Sequence, residues 1–250
     1  MRWFEMTAPE IRSLDKDSVL VLQPIAAVEQ HGPHLPTGVD TILVTSIAEA
    51  AESRRPSQIL LCPTYWLGAS GHHLGFGATL TASLDRFVGV LSDLARPTLD
   101  QGFRRYAFLN GHGGNMDPMR LALRGLEETY PDRVLAGAAY WEFLTEPLDA
   151  VLDGPHKFVG HACEFETALM RAVRPDLVRE SLVGDAGPLA SDRLDGWFLP
   201  WDMQRRTREG CTGRPDLGTV EKGKRLMESI QSGLDRAVER LLNLPLGLPS

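Results

Sequence analysis

The residues able to do chemistry gather in three short blocks. The first is Glu29-Gln30-His31-Gly32-Pro33-His34-Leu35-Pro36-Thr37-Gly38-Val39-Asp40. Glu29 and His31 stand two apart, so in extended chain both side chains leave the same face. His34 and Asp40 follow in a loop stiffened by glycines and prolines. The second block is Asn110-Gly111-His112-Gly113-Gly114-Asn115. Its glycines leave room beside one imidazole for an ion or a substrate. The third is His161-Ala162-Cys163-Glu164-Phe165-Glu166-Thr167. On a regular helix His161 and Glu164 are neighbours, whereas Glu166 points elsewhere, among Phe165, Ala168, Leu169 and Met170, where a carboxylate needs a partner. Carboxylates and imidazoles without thiolates form the ligand set of zinc, manganese or ferrous iron in a hydrolytic site. Each block also has a plainer reading. Asp40 can cap a helix, His112 can sit in a glycine-rich turn, and Glu164 and Glu166 can be acidic residues at a helix start.

Rival chemistries have less support. Ser70 stands beside His72 and His73, but such close neighbours in a loop seldom make a triad, and no Gly-x-Ser-x-Gly elbow is present. Phosphate-binding loops and dinucleotide fingerprints are missing too. Cys163 has no second cysteine nearby and reads as a small buried hydrophobe.

The elements that must position these residues alternate along the chain. Apolar runs at residues 18–28, 58–63, 105–110 and 133–141 read as buried strands, each bounded by Gly, Pro or Asn. Helical patterns lie between them. One is capped by Asp40. A second has Ser83 as N-cap and Pro97 as a kink. A third carries Pro118 in its first turn, a fourth runs from His161, and an amphipathic helix spans residues 220–242. This alternation predicts an α/β layered sandwich with a mostly parallel central sheet and helices on both faces. Ligands in such sheets gather beyond the carboxyl ends of the strands, and there the blocks lie. Residues 174–218 are rich in loop formers and show no clear period.

Composition narrows the partners. The 250 residues are 43 % hydrophobic and 24 % charged, ordinary for a globular chain of this length. No repeat or linker divides them, so residues 1–250 read as a single domain. The net charge of −7 speaks against nucleic acid or an anionic membrane surface as partner. No apolar run approaches the roughly 20 residues that span a bilayer. The first residues carry charge throughout and show no apolar signal segment. Three cysteines without motif spacing fit a reducing cytoplasm.

Together with Gly71-His72-His73-Leu74-Gly75-Phe76-Gly77-Ala78-Thr79, the three blocks resemble, in type and order, the signature blocks of the creatininase family. The resemblance implies a layered α/β fold and two divalent ions per subunit, zinc, manganese or iron. It further implies Glu29 and His112 on one ion, His31 and Glu166 on the other, and Asp40 bridging both. His161 would face the substrate with Glu164 near it, and one or the other of the two would shuttle the proton to the leaving nitrogen. One departure is informative. Creatinine hydrolases of that family have a Tyr-Glu pair after the second-block histidine, and that Glu binds metal. Here Gly113 and Gly114 stand there, so Glu166 becomes the source of the remaining ligand and creatinine is not the expected substrate. Relatives with Gly-Gly include enzymes that deformylate a pyrimidine nucleotide intermediate and enzymes that trim a cofactor-precursor peptide. The expected reaction is hydrolysis of a C–N bond in a small cyclic amide or formamide by metal-activated water. Peptide trimming is the second reading. A non-catalytic assembly role is the third, disfavoured because every ligand position holds a competent residue. The resemblance also implies a closed homo-oligomer, commonly a hexamer. Leu194, Trp197, Phe198, Leu199, Pro200 and Trp201 read as a loop packed on its own chain, as a lid over the site, or as part of such an interface.

Overall fold

The four apolar runs become the strands of one sheet. These are β1 (Leu20–Ile25), β2 (Ile59–Leu61), β3 (Arg105–Asn110) and β4 (Val134–Ala139), in the order β2-β1-β3-β4 and all parallel. The computed structural model describes residues 1–247. Six consecutive pairs join β1 to β3, from Leu20 opposite Arg105 to Ile25 opposite Asn110. Blocks one and two therefore leave the sheet side by side.

Alternation along the strands divides the core. Leu20, Leu22, Ala107 and Leu109 face one side, where they meet the second, fifth and seventh α-helices. Val21, Ile25, Tyr106 and Phe108 face the other and meet the third and fourth. The helices are α1 (Ala8–Ser13), α2 (Val39–Arg54), α3 (Leu84–Asp100), α4 (Met116–Thr129), α5 (Glu164–Val173), α6 (Met203–Arg206) and α7 (Val220–Asn243). The result is one α/β domain with helices on both faces of a parallel sheet, as expected. No described helix is long and apolar enough to cross a membrane.

Three local expectations need correction. Asp40 does not cap α2. The helix starts at Val39, Gly38 holds the cap position, and Asp40 lies within the first turn. The fourth helix does not start at His161. Ala162 is left-handed (φ 47°) and Cys163 extended, so α5 begins at Glu164. A β-hairpin was not foreseen in residues 194–201. Asp195 and Gly196 both take positive φ, the requirement of a tight two-residue hairpin turn, and β5 (Arg193–Leu194) pairs antiparallel with β6 (Trp197–Phe198). Ser83 does hold the cap position of α3, without a side-chain hydrogen bond, and α3 runs through Pro97 to end one turn later.

Candidate metal centre

Four segments converge beyond the carboxyl ends of β1 and β3. The chain leaving β1 delivers Glu29 and His31. The first turn of α2 delivers Asp40 back to the same place. The chain leaving β3 delivers His112. Gly111 is needed there, because a Cβ would come within 2.8 Å of the Asp40 carbonyl oxygen and 2.9 Å of Val44 Cβ. The first turn of α5 contributes Glu166, and the loop before it His161. All six side chains are buried or nearly so, and Glu29 has no exposure at all.

The ligand atoms fall into two triads that share Asp40. Glu29, Asp40 and His112 offer atoms within 4.8 Å of one another, and so do His31, Asp40 and Glu166. The two oxygens of Asp40 face different histidines: Oδ1 lies 3.2 Å from His31 Nε2 and Oδ2 lies 3.2 Å from His112 Nδ1. His161 Nδ1 lies 3.5 Å from Glu29 Oε1, and Glu29, His31 and His161 form a further group within the same 4.8 Å.

Backbone carbonyls fix the ring tautomers. A carbonyl only accepts, so the ring nitrogen facing one must carry the proton. His31 Nδ1–H donates to the Glu29 carbonyl at 3.1 Å. His112 Nε2–H meets the Ala69 carbonyl at 3.3 Å, and His161 Nε2–H donates to the Gln30 carbonyl at 2.6 Å. In all three rings the other nitrogen faces the cluster, the arrangement that orients imidazole ligands.

The residues fit a cation. Glu29 Oε1 and Oε2, His31 Nε2 and Asp40 Oδ2 are buried without a hydrogen-bond partner. Buried carboxylates left in that state cost several kcal/mol each, and a divalent ion removes the cost. The proton affinities carry the same message. Burial alone would lower the His31 imidazole, but the Asp40 carboxylate, helped by Glu166 and Glu29, pushes it up to about 9. Burial also opposes charge on His112, yet Glu29 and Asp40 raise it well above its ordinary value. Burial drives Glu166 up to about 7 against the pull of His31. Asp40, in spite of burial, is held low by His31 and His112. The cluster binds protons tightly, and metal displaces such protons on binding. His161 behaves differently. Burial and the His31 charge hold it well below the usual imidazole range, so it stays neutral.

Not every expected residue arrives. Glu164 accepts hydrogen bonds from the backbone N–H groups of Asp153 (2.9 Å) and Gly154 (2.8 Å) and pairs with Lys222. It points away from the cluster, so its expected role as proton carrier is withdrawn; helix geometry from Glu164 onward turns it and Glu166 to different sides. His34 is also absent, its Nε2 bonded to Thr167 Oγ1 at 2.9 Å. Two further residues join the site. His73, in the short 3-10 turn Gly71–Phe76, places Nε2 3.3 Å from Glu29 Oε1. Gln30 bonds His73 Nδ1 at 2.8 Å. The available signal was the Gly71–Thr79 block itself, which holds two of the chain's seven histidines.

A cavity of about 560 Å³ opens over the cluster. Glu29, Asp40, His112, His161 and Glu166 line it together with the aromatic and apolar Trp141, Phe198, Pro200 and Trp201. Phe198 of the hairpin therefore lines this cavity, while Trp197 is 73 % exposed.

Comparison with known proteins finds relatives along nearly the whole chain. The family model described as creatinine amidohydrolase matches residues 4–238. Creatinine amidohydrolase of Pseudomonas putida is 30 % identical over 248 residues, covering 92 % of each chain. A mycofactocin precursor peptide peptidase of Mycobacterium ulcerans is 28 % identical over 235 residues, 88 % of this chain and 84 % of that one. A mutant creatininase solved in a Zn–Zn form superposes with a TM-score of 0.83 at 27 % identity, covering 97 % of this chain and 98 % of the other. The chain belongs to the creatininase family and is a metal-dependent hydrolase acting on carbon–nitrogen bonds.

Proposed function

We propose that Glu29, Asp40 and His112 hold one divalent ion, that His31, Asp40 and Glu166 hold a second, and that the enzyme hydrolyses the C–N bond of a small cyclic amide or formamide. The observation that carries this reading is the pair of triads joined through the two oxygens of Asp40. Oxygen and nitrogen ligands of this kind suit zinc, manganese or iron. When bound, such ions supply Lewis acidity toward the carbonyl and bring the pKa of a water close to neutrality.

The protein's own residues then handle substrate and protons. His161 Nδ1, unprotonated because Nε2–H is held by the Gln30 carbonyl, accepts a proton from the attacking water. It returns that proton to the leaving nitrogen, so the C–N bond breaks without net change at the imidazole. Glu29, fully buried and with neither oxygen hydrogen-bonded, would supply one of the carboxylates that hold an ion. Gly113 has nothing within 4 Å of a would-be Cβ, which leaves space beside His112 where creatinine hydrolases of the family carry a tyrosine.

A second reading, trimming of a short peptide, is favoured by one observation. The cavity of about 560 Å³ with its aromatic wall exceeds the needs of a single small ring, since pockets of this size hold drug-sized ligands. A panel of lactams, formamides, and di- and tripeptides, offered to enzyme loaded with Zn²⁺ or Mn²⁺, separates the two. Turnover of lactams or formamides supports the first reading, and turnover of peptides alone replaces it. Absence of turnover together with less than about one bound ion per chain, at the micromolar or tighter affinity expected of such sites, overturns both. We further propose a cytoplasmic homo-oligomer, to be tested by light scattering and fractionation.

A further inference from the structure

Among the imidazoles around the cluster, His73 is the exception. His31, His112 and His161 each give a proton to a backbone carbonyl and turn the other ring nitrogen inward. For His73 the outer partner is the side-chain amide of Gln30, and that amide has only one workable orientation. Its Oε1 accepts the Gly32 N–H at 2.9 Å, and its Nε2 donates to the Gly210 carbonyl at 2.9 Å. Reversing the amide would set donor against donor and acceptor against acceptor. The remaining amide hydrogen has two imidazole nitrogens in reach, His73 Nδ1 at 2.8 Å and His161 Nε2 at 3.2 Å. The second already gives its proton to the Gln30 carbonyl and cannot accept, which leaves His73 Nδ1. Nδ1 must therefore accept, and the ring proton must sit on Nε2. Gly210 makes this possible, since it is left-handed (φ +75°) and a Cβ there would come within 2.2 Å of Gln30 Oε1.

The consequence falls inside the cavity, of which His73 is part of the wall. His73 Nε2 lies 3.3 Å from Glu29 Oε1, and His161 Nδ1 lies 3.5 Å from the same oxygen. The two rings are 4.2 Å apart. An N–H and a lone pair thus stand side by side at one edge of the cluster. We propose that His73, locked by Gln30 as a neutral Nε2–H donor, gives a hydrogen bond to the substrate carbonyl oxygen as negative charge develops there. His161 moves the proton, and Gln30 is the positioning residue for His73. This rests on the amide-hydrolysis reading above, and the tests below keep the two apart.

Neutron diffraction from deuterium-exchanged crystals of the wild-type protein reads the tautomer without any substrate. Deuterium on Nε2 of His73, with none on Nδ1, is expected; deuterium on Nδ1 overturns the proposal whatever the enzyme hydrolyses. For the catalytic role, His73→Leu is expected to keep its metal and lose about 10²- to 10³-fold in kcat, the usual effect of removing one such donor, with KM much less affected. His73→Gln, which carries an N–H at comparable reach, recovers a large part of that loss. Gln30→Met, which frees the His73 proton but leaves the Gln30 carbonyl on His161, lowers kcat by about 10- to 100-fold, as partner residues around metal sites do. A His73→Leu enzyme with undiminished kcat refutes the role. If His73→Leu fails to fold, Gln30→Met and the neutron map decide: wild-type kcat in Gln30→Met, or a proton on Nδ1, ends the proposal.

Discussion

Replacing Gly114 by alanine adds one methyl group at the point where this chain departs from the Tyr-Glu pattern. The added Cβ would lie 2.4 Å from the Ala69 carbonyl oxygen, 2.5 Å from His112 Nε2 and 2.8 Å from His72 Cε1. None of these neighbours is the free end of a flexible chain. The Ala69 carbonyl is also the acceptor that sets the His112 tautomer, so relief of the clash must move either the ligand or its support. Overpacking of this kind costs about 1–3 kcal/mol, and disturbing a ligand's partner costs about 10- to 100-fold in metal affinity. Gly113→Ala is the control. Its Cβ meets nothing within 4 Å, and φ at neither glycine is positive. That variant should gain about 0.4–1 kcal/mol from the stiffer unfolded chain. For a chain of this size each kcal/mol moves Tm by about 2–4 °C, so the two variants should differ by several degrees in a thermal melt. Competition with a chromophoric chelator should show weakened metal binding in Gly114→Ala alone. Equal melting temperatures and equal metal affinities would refute the reasoning, and with it the view that this backbone excludes a side chain at position 114.

Asp40→Ala should lose more metal than any other single ligand change, because one carboxylate serves both triads; two ions per chain retained after gel filtration would reduce Asp40 to a structural residue. His161→Asn should keep its metal and lose about 10²- to 10⁴-fold in turnover, measured at matched metal content, whereas loss of metal would make His161 a ligand. Glu164→Gln should leave turnover nearly intact and cost about 1.5–3 kcal/mol in urea unfolding, since it weakens charged hydrogen bonds to Lys222 and to the Asp153 and Gly154 amides. Burial, with the His31 and Arg171 charges, holds His34 at about 4. The folded state thus binds fewer protons than the unfolded one between the ordinary value near 6.5 and 4, and stability falls as pH drops through that window. The full difference is about 3 kcal/mol, and His34→Gln should flatten the stability–pH curve by that amount relative to wild type.

The sheet was the most legible part of the fold, and for a physical reason. A parallel strand covered on both faces is apolar throughout, so β3 could be delimited to the residue at Arg105–Asn110. Helix starts were harder. Asp40 has the side chain of a cap residue, but Gly38 holds the cap position and Asp40 is turned into the core. The fourth helix was extended over His161 because nothing in an alanine announces a left-handed backbone, yet Ala162 adopts one. That conformation stores strain, of the kind concentrated at functional sites. It also delivers the Ala162 N–H to Glu166 Oε2 at 2.5 Å. The Leu194–Asp195–Gly196–Trp197 stretch did carry a hairpin signal in its Asp-Gly pair, obscured by strands only two residues long.

The site divides along a similar line. Candidate ligand types could be read from three blocks because metal chemistry demands particular side chains, but the pairing that sets β1 beside β3 belongs to the sheet. What holds the ligands could not be read. The acceptors on His31, His112 and His161 are the backbone carbonyls of Glu29, Ala69 and Gln30, and any residue supplies a carbonyl. His73 reaches Glu29 only because the segment after β2 is drawn across the strand ends. Bridges from Val28 to Leu80 and from Gly68 to Thr81 do this, together with the Asn115 side chain, which accepts the Ala69 N–H and donates to the Ala26 carbonyl. Those contacts join residues 13 to 89 positions apart, so no local pattern encodes them. The same tertiary scaffold decides which nitrogen of each ring carries a proton. It separates two glutamates two residues apart, leaving Glu166 beside His31 and Glu164 on Lys222. In this enzyme the side chains name the chemistry, and the backbone of four converging segments, two of them helix starts, decides which atoms perform it.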